Sequence, residues 1–250
     1  MTLSIRASQG DWGGAEVSNV EAVARSAATT FAAYGDDESV AILLEPTPGD
    51  GDPPMALSAT SPSGGEFVVR LNVRGPFWAR LAYQFAHEFC HVLADPRTFT
   101  ADRFAWIEEA LCETSSLFAL RQIAKGWAET PPYANWREYA THLAAYEAGL
   151  VSDPARSLPP GEDFGTWLAR RLPLLEADPG RRDDNTIVAK ELLPIFEADG
   201  AAWRCLRHLH TWPRSSASSP ADFINGWAVA CPAACRGPVQ SIAALIGIGN

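Results

Sequence analysis

Polar and apolar residues alternate at the start of the chain. Leu3 and Ile5 stand between polar neighbours, and this period of two predicts a half-buried strand. Next comes a period near 3.6, with Val20, Val23, Ala24, Ala27 and Phe31 forming one apolar stripe behind Ser18 and Glu21, which have capping-box spacing. Gly35 marks where that helix should stop. The apolar run Val40 to Leu44 predicts a buried strand. Pro46 to Pro54, rich in Gly, Pro and Asp, predicts a loop. Met55–Ala59 and Phe67–Val73 then read as two strands joined around Ser63, Gly64 and Gly65.

After Gly75 the helical period takes over. Helices run almost to the end, broken at Asp153-Pro154, Pro159-Pro160-Gly161 and Asp178-Pro179-Gly180. No internal repeat or long low-complexity tract interrupts them. The order of elements predicts an α+β fold: a small N-terminal mixed sheet with a helix, followed by a mainly helical body. We expect a β-rich lobe over 1–75, a helical core over 76–126 and a C-terminal helical lobe over 127–250, all within one compact unit.

Composition narrows the function classes. The 250 residues carry a net charge of -10 and are 47% hydrophobic, which suits an ordinary globular chain. The acidic balance argues against a nucleic-acid partner, because phosphate neutralisation needs clustered Lys and Arg. No apolar run reaches the roughly 20 residues of a membrane-spanning helix, and the first residues lack a basic patch followed by an apolar stretch. Five cysteines, an odd number, suit reduced thiols better than a disulfide framework. The expected setting is cytoplasmic. A second metal site from Cys205, His208, His210, Cys231 and Cys235 is disfavoured, since the set matches no closed zinc spacing.

The chemistry concentrates at residues 87–91, His-Glu-Phe-Cys-His. On a helix His87 and His91 share a face, so both imidazoles can reach one ion, and Glu88 lies next round the rod. Trp78, Ala82, Phe85, Phe89 and Val92 supply the apolar side, while Arg80, Gln84, His87, Glu88 and His91 gather opposite. The plain alternative is two surface histidines on an amphipathic helix. A second acidic helix favours the metal. It runs from about Thr100 through Trp106-Ile107-Glu108-Glu109-Ala110-Leu111-Cys112-Glu113 towards Ile123. Glu109 and Glu113 share a face, and seventeen residues separate His91 from Glu109, room for a turn and a return pass. Catalytic zinc takes three protein ligands and keeps one position for water. His87, His91 and Glu109 provide two nitrogens and a carboxylate. Glu113, one turn on, can accept the other N–H of a ligating imidazole. Cys90 and Cys112, close to these residues, read as small buried side chains rather than regulatory thiols.

The two segments resemble the gluzincin metallopeptidases, the group of thermolysin and the aminopeptidase N family. In the latter the third ligand lies in a segment like Trp-Leu-Asn-Glu-Gly-Phe-Ala-Glu. The match places the ligand on Glu109 and the outer carboxylate on Glu113. Glu108, at the Asn position, competes for the ligand role from about 100° round the helix. The resemblance covers roughly residues 40–125. A fainter likeness extends to Thr186–Glu197 and to Ala221-Asp222-Phe223. There the family's oxyanion-binding tyrosine falls on Thr186 or Asn185, neither a phenol, and the family's Gly-Ala-Met-Glu-Asn strand is missing.

The resemblance implies a zincin-like fold, one Zn2+ per chain and hydrolysis of peptide or protein substrates by a metal-activated water, with Glu88 as general base and then acid. Tyr133, Tyr139, His142, Tyr146, His208 and His210 remain open as oxyanion donors. The Phe67–Val73 backbone offers strand addition to an extended peptide. Two other readings stand beside this one: a catalytically silent peptidase-like protein that binds zinc or peptide, and a metal-free helical interaction protein.

Overall fold

The computed structural model describes residues 2–32, 39–57, 66–95 and 102–246. The chain forms an α+β fold whose strands all lie in its N-terminal part. It divides into two compact units, residues 1–92 with 115–148 and residues 93–114 with 149–250. The divisions between the units fall inside the helices Trp78–Ala94, Ala105–Glu129 and Tyr139–Ser152.

In the first unit, strands β1 (Thr2–Ala7), β2 (Ser39–Pro46), β3 (Met55–Leu57) and β4 (Phe67–Leu71) form one sheet in the order β1-β2-β4-β3. β1 and β4 run parallel to β2, while β3 runs antiparallel to β4. A parallel pair needs a crossover. Between β1 and β2 helix α1 (Val17–Ala32) provides it, burying Val20, Val23, Ala24, Ala27 and Phe31 as its period predicts. The helix starts one residue before Ser18, and Glu21 accepts from Ala7 N at 2.9 Å, so the expected capping box gives way to a tie between helix and β1. Gly35, Ser63, Gly64, Gly65 and Thr100 lie outside the described residues.

Strand addition at Phe67–Val73 does not survive the topology. β4 is paired on both sides, to β2 and to β3, so its backbone groups are already used.

Helices α2 (Trp78–Ala94) and α3 (Ala105–Glu129) follow. Phe31 of α1 packs against Phe89 and Phe118, each at 5.8 Å between ring centroids. Trp127 Nε1 donates to Ser26 Oγ at 3.1 Å, tying α3 to α1. Helix α4 (Tyr139–Ser152) adds Tyr146 against Tyr83 and the Arg121–Glu147 ion pair at 2.8 Å.

The second unit is helical among its described residues. It holds α5 (Phe164–Ala177), α6 (Arg182–Ala198), a 3-10 segment Gly200–His208, α7 (Pro220–Ala230) and α8 (Ala233–Leu245). Asp163 and Ser219 cap α5 and α7 through their side chains. Lys190 Nζ on α6 donates to Val151 O, Arg156 O and Ser157 Oγ, fastening α6 to the turn after α4. Phe104 and Trp212 both pack on Phe223 in this unit's core. No described helix is long and apolar enough to cross a membrane.

Candidate metal centre

The site rests on α2 and α3. Helix α2 is fixed on the sheet side by Gln84, whose side chain accepts from Asn72 N at 2.9 Å and donates to Asn72 O at 3.3 Å. Gln84 therefore extends the backbone pairing beyond β4. It is 5% exposed and is not part of an open polar face, as the helical period had suggested. On the α3 side, Ser115 Oγ donates to Ala86 O at 2.8 Å and Ser116 Oγ donates to Tyr83 O at 2.9 Å. Two short hydroxyls reaching neighbouring carbonyls bring the helices close and fix their register. α3 is one unbroken helix whose residues 105–114 fall in the second unit and 115–129 in the first. Cys112 sits one turn before the serines on the same rod.

His87 and Glu88 are buried and His91 is half-buried. The two imidazoles lie one turn apart, with ring centroids 5.3 Å apart and ring planes 68° to one another. Among the described residues, His87, His91 and Cys112 each offer a ligand atom, and these atoms lie within 4.8 Å of one another. Glu109, three residues before Cys112 and thus on the same face of α3, is half-buried. The sequence pointed to Glu109 as third ligand and set Cys112 aside as packing. Its i, i+3 relation to Glu109 was the signal that could have included it.

The donor set suits zinc. With bonds of 2.0–2.1 Å to nitrogen and 2.3 Å to sulfur, a tetrahedral ion separates its donors by about 3.3–3.6 Å. The group closes on such an ion with shifts on the order of 1 Å, within side-chain freedom. Two imidazoles and a thiolate are borderline-soft ligands of the kind zinc takes, and Glu109, the carboxylate expected as third ligand, is not in the group that gathers within 4.8 Å.

The neighbouring acids divide the rest of the work. Glu108, the competing ligand, is 2% exposed and lies 3.0 Å from His210 Nε2. Arg214 Nη1 contacts the other ring nitrogen of His210, and Arg214 Nη2 donates to Asp102 at 3.0 Å. A guanidinium only donates, so His210 Nδ1 must accept, which leaves the ring proton on Nε2 facing Glu108. Glu113, also buried, accepts from Thr186 Oγ1 at 2.9 Å. Thr186 stands where the resemblance placed the family's tyrosine. It is fully buried and its hydroxyl is given to Glu113, so it does not serve as an oxyanion donor.

The other candidate donors separate. His210 is committed to Glu108 and Arg214, deep in the second unit. Tyr139, His142 and Tyr146 line, with Phe77 and Arg80, a cavity of about 510 Å³ in the first unit. Arg80 stands two turns before His87 on α2, and His87, Glu88 and His91 are not among the residues that line this cavity. Tyr133 is exposed beside Trp136, and His208 is half-buried at the end of the 3-10 segment. Comparison with protein-family models, with curated proteins and with solved structures finds no match for this chain.

Proposed function

We propose that the protein is a zinc-dependent peptidase of gluzincin type, working in a reducing, cytoplasmic setting that keeps its five buried cysteines as thiols. The observation that carries this reading is the convergence of His87, His91 and Cys112 ligand atoms within 4.8 Å, with buried Glu88 next to His87 in the chain and half-buried Glu109 one turn before Cys112. His87 and His91 would hold the ion with Glu109 or Cys112 as third ligand. When bound, zinc supplies a Lewis acid for water and for a substrate carbonyl. Glu88, next to His87 and 4% exposed, takes the proton of the attacking water and returns it to the leaving amine. Phe77, Arg80 and the aromatic residues of α4 offer a wall for a substrate side chain two turns before His87 on α2.

The place of the Cys112 sulfur in the group, where the resemblance puts a carboxylate, favours a second reading, a zinc protein without turnover. Were Glu109 to join as well, the ion would have four protein ligands, the arrangement of a structural site with no position for water. The experiment is zinc stoichiometry and peptide-library hydrolysis for the wild type, Glu88→Gln and Cys112→Ala. The peptidase reading expects one zinc per chain, hydrolysis, and loss of hydrolysis in Glu88→Gln with zinc retained. Zinc near one per chain without cleavage, and cleavage gained in Cys112→Ala, would select the closed site. Failure of the wild type to bind zinc would overturn both readings and leave a helical interaction protein.

A further inference from the structure

A cavity of about 510 Å³ opens between the first turn of α2 and the first half of α4. All its lining residues belong to the first unit. The size is that of small-molecule sites, which run from about 300 to 1,000 Å³. Two small side chains keep it open, Ala79 on α2 and Ala145 on α4, where longer residues would fill the space. The aromatic walls are braced from behind. Tyr146 stands edge-on to Tyr83 at 6.0 Å between ring centroids, and the Tyr139 ring lies 6.2 Å from Trp127 and 5.2 Å from His142. Phe77 lines the cavity with 62% of its surface exposed, an apolar area left without cover.

The polar groups of the same walls all offer a proton. Arg80 is exposed and, among the described residues, makes no hydrogen bond or ion pair. Arg70, Arg103, Arg121 and Arg170, by contrast, each pair with a carboxylate. The Tyr139 hydroxyl accepts from Ala79 N at 3.4 Å, so its own proton remains for another acceptor. His142 adds an imidazole that makes no hydrogen bond among the described residues. No Asp or Glu lines the cavity, and Glu147, the neighbour of Tyr146, is paired with Arg121. A guanidinium, a phenol and an imidazole thus share one cavity with no acid beside them, in a chain whose net charge is -10.

We propose that this cavity binds an aryl carboxylate, a carboxylate carried on a short stem from an aromatic ring. The carboxylate sits on Arg80, whose planar fork matches its two oxygens, with the Tyr139 hydroxyl and His142 as further donors. The ring lies against Phe77, Tyr139 and Tyr146, where offset and edge-on contacts add to the apolar area buried. A single guanidinium suits a monoanion better than a phosphate dianion, whose second charge would find no second fixed cation. The chemistry is that of a free aromatic acid or of a peptide chain that ends in an aromatic residue. His87, Glu88 and His91 do not line the cavity, so the inference concerns binding and holds with or without turnover at the metal centre.

The test is isothermal titration calorimetry on the full chain with N-acetylphenylalanine, its amide, and the peptide Ala-Ala-Ala-Ala-Phe with a free carboxylate. The acid should bind once per chain, and the amide at least about tenfold more weakly, for want of the charge-assisted hydrogen bonds. Arg80→Gln should weaken the acid by at least about tenfold and leave the amide unchanged. Arg80→Lys, which keeps the charge and loses the fork, should fall between. Ala145→Leu should weaken acid and amide alike by filling the space. A peptide that binds more tightly than the acid assigns the site to a chain end, and one that binds no more tightly assigns it to a free acid. Equal affinity for acid and amide would overturn the proposal, as would unchanged affinity for the acid in an Arg80→Gln chain with native circular dichroism. Loss of acid binding on adding EDTA would also overturn it, since the carboxylate would then sit on a metal. So would dissociation constants above about 1 mM for both acid and peptide.

Discussion

Replacing His210 with Ala tests how the first turn of α3 is held. The imidazole and Glu108 are 1% and 2% exposed in their side chains and 3.0 Å apart. Truncation leaves Glu108 buried without the polar ring that faces it, at a cost of about 1–3 kcal/mol for a buried polar group that loses its neighbour. With Nδ1 accepting, the imidazole is neutral, so the loss is expected in that range and not in that of a broken buried ion pair. Arg214 loses its contact with the ring as well, while keeping Asp102 and its place 4.9 Å over the Phe223 ring. The assay is urea unfolding at pH 7, with the midpoint shifted and the slope unchanged. A double-mutant cycle with Glu108→Gln isolates the pair, and the coupling should exceed about 0.5 kcal/mol. A change in stability under about 1 kcal/mol, or a coupling near zero, would refute the reasoning, since water would then have to reach a carboxylate the fold encloses.

Three further outcomes follow from local geometry. Ser115→Ala and Ser116→Ala should each cost about 1 kcal/mol, and the double variant about twice that, measured by urea unfolding; no loss would remove the serine clamp between α2 and α3. Gly226→Ala gains about 1 kcal/mol of helix propensity, but its Cβ would stand 2.3 Å from the Trp212 ring. The overlap should win, with a net loss of at least about 1 kcal/mol and a changed near-ultraviolet signal as Trp212 leaves Phe223; a stabilised variant with an unchanged signal would count against it. Asp222, which accepts from the Ser218 hydroxyl and backbone, is held below its ordinary pKa of 3.8. A carboxyl more acidic in the folded state stabilises the fold above the ordinary value and loses that contribution as pH falls through the depressed one. Ser218→Ala should move the Asp222 titration upward in a carboxyl NMR titration, and an unmoved curve would contradict this cause.

The sheet and most helices were legible because their burial follows a short period. Val20 to Phe31 on α1 and Ile42 and Leu44 on β2 are fully or almost fully buried where the pattern puts them. What escaped the pattern depended on partners remote in sequence. Glu21 reads as a cap until β1 is beside it. Gln84 reads as a surface polar residue until Asn72 at the end of β4 meets it. Phe67–Val73 reads as an available strand until β2 and β3 flank it. Pro173, Pro194 and Pro238 sit inside helices, although proline removes a backbone donor, whereas the Pro-Gly clusters do end them.

The candidate site shows the same division in a single helix. Successive residues of α3 turn by about 100°, so Glu108 and Glu109 cannot serve the same partner. From sequence both were open as ligands, because each carries the same carboxylate. His210, one hundred and two residues later, separates them by holding Glu108. Glu113 is likewise occupied from outside the helix by Thr186, seventy-three residues on. Glu109 and Cys112 lie one turn apart on one face of α3, and of the two it is the Cys112 ligand atom that gathers with the imidazoles. On the proposed reading a bound metal would take sulfur from Cys112 or oxygen from Glu109, a choice that no local spacing could resolve. Oxygen as third ligand leaves the fourth position to water, whereas both ligands together fill it. If the proposed site binds zinc, turnover would depend on whether Cys112 fills the position that water needs, and the cleavage assay on Cys112→Ala reads that difference.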